Sequence, residues 1–111
     1  MNEKEIRSLI ESYPNLLARQ GQLQKRLISL SGSGALQEES LMQRLEETDE
    51  QIERIDRLIF DSDFLTDKEV TILDLRSTGY QYDRIGKFFS LSKERIRQIL
   101  NGAYKKIATN Q

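Results

Sequence analysis

The sequence predicts an all-α fold: an N-terminal antiparallel helical hairpin, coiled-coil-like, over residues 1–62, then a module of three shorter helices over 65–111. Three observations carry this. Apolar residues recur at alternating spacings of three and four, the period of helices that bury one face. The 111 residues hold 1 Pro and 6 Gly, so little in the chain interrupts a helix. The one low-complexity patch, Ser29-Leu30-Ser31-Gly32-Ser33-Gly34, separates two long periodic segments and suits a chain reversal.

In the first segment Ile6, Leu9, Tyr13, Leu16, Gln20, Leu23, Leu27 and Leu30 form one seam, broken only by Gln20. Pro14 cannot donate an amide hydrogen to Ile10 and its ring crowds that turn. A short helix near 3–12 followed by a longer one from about 14 to 30 is therefore predicted. After the Ser/Gly patch, Leu41, Leu45, Thr48, Ile52, Ile55 and Ile59 keep a heptad rhythm that predicts one long helix over about 36–61. At 1.5 Å per residue it would reach roughly 40 Å. Glu46, Glu47, Asp49, Glu50, Glu53, Arg54 and Arg57 flank the seam and make its outer face wet. Two helices with one apolar stripe each bury little by themselves. The seam of Leu41, Leu45, Ile52, Ile55 and Ile59 is accordingly expected to meet a second copy of the chain in a homodimer, the alternative being that the hairpin packs only on its own C-terminal domain.

The C-terminal module starts at Thr66-Asp67-Lys68-Glu69. There Thr66 can cap the amide of Glu69 and Glu69 can reach back to Thr66. A helix over about 67–78 buries Val70, Ile72, Leu73 and Leu75, and Gly79 suits the left-handed position that ends it. A second helix over about 82–89 carries Ile85, Phe88 and Phe89 on its apolar side, with Gly86 where a neighbouring helix could come close. Ser90-Leu91-Ser92 turns the chain. Ser92 is a good N-cap for a third helix over about 93–108, whose inner stripe is Ile96, Ile99, Leu100, Ala103 and Ile107. A short helix, a three-residue turn and a longer helix make a helix-turn-helix.

The chain has no Cys and no His, which removes disulfides, thiol and imidazole catalysis and ordinary zinc sites. No catalytic residue, metal or other cofactor, and no small-molecule substrate, is expected; Asp49, Glu50 and Glu53 read as a solvated helix face. Apolar runs are far too short for a membrane helix, and the start Met1-Asn2-Glu3 resembles no signal peptide, so a cytoplasmic protein is expected. The formal net charge of -1 hides two opposite halves. Residues 1–64 hold 8 Lys/Arg against 13 Asp/Glu; residues 65–111 hold 9 against 5. From Arg84 to Lys106 the only acid is Glu94, so positive charge is concentrated where an anionic partner could meet it.

The exposed face of the last helix suits the major groove. Arg97 or Lys93 can donate to guanine, Gln98 or Asn101 can pair with adenine, and Glu94 can accept from cytosine. Arg84, Lys87, Arg95, Lys105 and Lys106 are expected to hold phosphates, as is Ser92 with the first amides of its helix.

The stretch from Tyr82 to Ile99 closely resembles region four of bacterial primary sigma factors, the module that reads the minus-35 promoter element. Ile85-Gly86-Lys87 and Glu94-Arg95-Ile96-Arg97-Gln98-Ile99 stand where that family has its "VGK" and "ERIRQI" runs. The resemblance covers about 65–108. It implies base-reading or adjacent backbone roles for Glu94, Arg97 and Gln98, and a phosphate-facing or polymerase-facing role for Arg95. Lys93 and Leu100-Asn101-Gly102 depart from the family pattern, and nothing in residues 1–64 looks like the sigma region that melts the minus-10 element. A helical hairpin before a lone reader of this kind is similar to the small phage and prophage late-gene regulators of the ArpU type. The expected function is sequence-specific binding of double-stranded DNA as a transcription regulator in a bacterial host cell. The alternatives are an RNA polymerase-binding adaptor with no DNA binding of its own, and a phage DNA-packaging recognition protein.

Overall fold

The computed structural model describes residues 1–30 and 35–111. Its helices are α1 (Glu3–Glu11), α2 (Tyr13–Ser29), α3 (Ala35–Phe60), α4 (Asp67–Ser77), α5 (Tyr82–Phe89) and α6 (Lys93–Thr109), and there is no strand among the described residues. The Ser/Gly part of the expected loop, 31–34, lies outside those residues. No helix among them is long and apolar enough to cross a membrane.

Asn2 caps α1 by accepting from the Glu5 amide at 2.8 Å. The first helix stops at Glu11, with only Ser12 between it and Tyr13, and Pro14 stands in the first turn of α2, where its missing N–H costs nothing. Between them Ser12 donates its hydroxyl to the Leu9 carbonyl at 2.6 Å. The N-terminal seam divides between two destinations. Leu23 of α2 is buried away from the main cluster, on a helix that packs along α3, whereas Leu16 of α2 joins the fully buried Ile6 and Ile10 of α1 in the core shared with α4, α5 and α6. The expected boundary near residue 62 therefore does not separate two cores. Ile6 and Ile10 share one cluster with Ile72 and Leu73 of α4, Ile85 of α5, and Ile96, Leu100, Ala103, Tyr104 and Ile107 of α6.

The expected dimer seam also turns inward. Leu41, Ile52, Ile55 and Ile59 are buried within the single chain and Leu45 is half-buried. Ile55 and Ile59 belong to the shared core, because the lower end of α3 reaches α4. Thr48 is 3 % exposed and donates its hydroxyl to the Arg44 carbonyl at 2.8 Å, so the one polar seam position is satisfied without a partner chain. What α2 and α3 leave exposed is a different apolar set, with Ile28 and Leu36 the most exposed. α2 and α3 pack along each other, and the described residues span 53 × 29 × 20 Å.

The C-terminal helices follow the local signals. Thr66 accepts from the Glu69 amide at 3.2 Å while Glu69 accepts from the Thr66 amide at 2.9 Å, closing the capping box. Gly79, at φ 101, takes the left-handed conformation just after α4. Phe88 departs from its expected place on the apolar side of α5. It is 59 % exposed and packs edge-to-face on Tyr80, with ring centroids 5.9 Å apart.

Candidate nucleic-acid interface

The turn between α5 and α6 is held by backbone and by one glycine. Ser90 adopts a left-handed conformation at φ 55, and the Leu91 amide donates to the Gly86 carbonyl at 2.8 Å. Gly86 is buried, and a Cβ there would overlap the Leu91 carbonyl oxygen and sit 3.6 Å from Ile96. The close approach that needs glycine is thus made by the turn as well as by α6. Ser92 then caps α6 by accepting from the Arg95 amide at 3.0 Å.

Burial of Ile96, Leu100, Ala103 and Ile107 fixes the rotation of α6. Lys93, Glu94, Arg97, Gln98 and Asn101 are consequently all exposed, and helical spacing sets them along one side of the helix. Two of them are engaged with each other: Glu94 accepts from Arg97 at Nε, at 3.0 Å, and also at Nη2. This pairing holds the Glu94 carboxyl below its ordinary range and raises the Arg97 guanidinium. Both groups stand in water, so exchanging this pair for base edges is cheap. Arg95 makes a long contact of 3.4 Å to the Gln98 side-chain oxygen Oε1, and the Gln98 Nε2 has no partner among the described residues.

Among the expected phosphate contacts, Arg84, Lys87, Arg95 and Lys105 are exposed, and the Arg84 guanidinium lies 5.7 Å from the Tyr80 ring centroid. Ser92 is exposed, with its oxygen engaged in the cap. Lys106 is the exception. Its ammonium donates to Glu69 at 2.7 Å, where the carboxylate side chain is only 12 % exposed, and so it ties α6 to α4. Burial pushes the Glu69 carboxyl up, but Lys106 and the amide and hydroxyl of Thr66 outweigh that and leave it below the ordinary range. Lys106 is a structural cation in this arrangement.

Two cations outside the expected set stand beside the head of α6. Arg7 of α1 and Arg76 of α4 line a cavity of about 370 Å³ with Lys93, Gln81, Tyr82 and Asp83. Arg76 donates to the Tyr80 carbonyl at 3.0 Å, reaches Glu11 at 3.4 Å and lies 4.7 Å from the Tyr82 ring centroid. Behind it Tyr104 is 2 % exposed, and its hydroxyl has no hydrogen-bond partner among the described residues. Burial, with Tyr82 and Glu11 nearby, pushes that hydroxyl far above its ordinary range, so it stays protonated. No spacing rule links residue 7 to residue 93; only the packing of α1 on α6 brings them together. No group of residues suited to hold a metal ion occurs among the described residues. Comparison of the chain with family models, with curated proteins and with solved structures found no match.

Proposed function

We propose that this protein is a sequence-specific, double-stranded DNA-binding transcription regulator that lays the outer face of α6 in the major groove. A phage or prophage late-gene activator is the form the sigma-like residues favour. The observation that carries the reading is the division of α6. Four apolar side chains lock one face into the core, and Lys93, Glu94, Arg97, Gln98 and Asn101 are exposed on the other. Donors and acceptors of those types match the edges of guanine, adenine and cytosine. Arg84, Lys87, Arg95 and Lys105 flank them as sequence-independent contacts to the backbone.

One such module covers about 600–1,000 Å² of DNA-facing surface, which is small for tight specificity. A second copy supplies the rest. Because the α3 seam is used inside the chain, that contact falls on apolar side chains the hairpin leaves outside, Leu17, Ile28, Leu36 and Met42. Light scattering should give twice the chain mass, and replacing Ile28 and Leu36 with Ser should return it to the chain mass. A wild-type protein that stays at the chain mass at high concentration contradicts the dimer.

Selection from a random duplex pool, with and without RNA polymerase, tests the DNA reading directly. Gln98→Ala or Arg97→Ala should lose about 1–3 kcal/mol of discrimination at one base pair, while Lys105→Ala should weaken all sequences alike. Equal losses for Gln98→Ala on selected and scrambled duplexes would argue against base reading. Enrichment seen only with polymerase present would favour the adaptor.

A further inference from the structure

We infer that Arg7, Arg76 and Lys93 together seat one backbone phosphate of the bound duplex, so that α1 belongs to the DNA-contacting surface. The inference rests on the DNA-binding reading above and adds a contact from a helix far away in sequence. Arg76 is the fixed part of the seat. The Tyr80 carbonyl, Glu11 and the Tyr82 ring hold its guanidinium in one orientation, and its Nε is buried with no hydrogen-bond partner. Arg7 is the movable part. Its Nε donates to Glu11 at 2.7 Å, its side chain is 52 % exposed, and its terminal nitrogens make no bond to any described residue. Lys93 is exposed and without an ion pair among the described residues, and it opens α6, whose first amides have no partner within the helix.

Charge balance selects the ligand. Three cations meet at the cavity against two carboxylates, Glu11 behind the arginines and Asp83 on the rim. One positive charge is left over, the match for a single phosphodiester. The position agrees with this. The seat adjoins Lys93 at the head of the reading helix, where a duplex in register with Arg97 and Gln98 runs its backbone past the helix N-terminus. Ile6 and Ile10 hold α1 against the core, so Arg7 is presented from a rigid helix.

Arg7→Gln and Asp83→Asn, measured by fluorescence anisotropy on a mixed-sequence duplex over a salt series, test the seat. Arg7→Gln should reduce the slope of log affinity against log salt by about one, and at about 0.1 M salt should weaken binding roughly eightfold. Selected and scrambled duplexes should suffer alike. Asp83→Asn removes the carboxylate on the rim and should tighten binding about threefold, the size of one unit-charge repulsion across several ångströms of water. A well-folded Arg7→Gln protein with wild-type slope and affinity overturns the seat while leaving the DNA reading in place. If Arg7→Gln melts early, Asp83→Asn decides, and binding unchanged or weakened by it overturns the seat. A wild-type protein that binds no duplex overturns both.

Discussion

Ile10→Ala should destabilise the whole protein by about 2–5 kcal/mol, a large part of the 5–15 kcal/mol typical of a domain. Ile10 is fully buried, as is Ile6 one turn earlier, and both lie in the cluster that holds α4, α5 and α6 together. Removing three buried carbons there leaves a cavity between α1 and α6 that their backbones cannot close, since α6 is also pinned to α4 through Lys106 and Glu69. Thermal melting by circular dichroism should show one transition lowered by roughly 10–25 °C. Amide spectra should show the largest changes in α6 as well as around residue 10. Residues 65–111 alone should be a poor folding unit, because they would expose the surface that α1 covers. A wild-type melting temperature for Ile10→Ala would mean that α1 does not form part of this core.

Gly86→Ala should cost at least about 1–3 kcal/mol and, on the proposed function, abolish specific DNA binding. The added Cβ meets the carbonyl of Leu91, a backbone atom of a turn already closed by the bond from the Leu91 amide to the Gly86 carbonyl. Only a shift of the turn relieves the overlap, and the turn sets where α6 begins. The α6 glycine gives the opposite result. Nothing lies within 4 Å of a Cβ placed on Gly102, so Gly102→Ala should stabilise the helix by about 0.5–1 kcal/mol. Chemical denaturation of the two variants reads both signs in one experiment. Equal stabilities for the pair would remove the steric account of the turn.

Much of the candidate site is legible in the sequence because it is built from local rules. The capping box at Thr66, the left-handed Gly79, the break at Pro14 and the Ser92 cap each depend on neighbours within about four residues, and each occurs where the residue types call for it. The exposed face of α6 follows from the three-and-four spacing of its apolar stripe in the same way. Lys106 shows where that reasoning ends. As a basic residue at the end of a basic helix it reads as a phosphate contact, and only the approach of α4 supplies Glu69 as its partner. Phe88 shows the converse, since an aromatic residue on the expected apolar side of a short helix stays 59 % exposed with its ring edge-to-face on Tyr80.

Periodicity and capping chemistry by themselves determined that the chain is helical, where each helix starts and stops, and which side chains α6 turns away from its apolar stripe. They could not determine what each apolar stripe would meet. One stripe fits many partners equally well, because hydrophobic burial has no direction. Tertiary packing decided that Ile6 and Ile10 join the C-terminal core, that the α3 seam closes against its own chain, and that Arg7 stands beside Lys93.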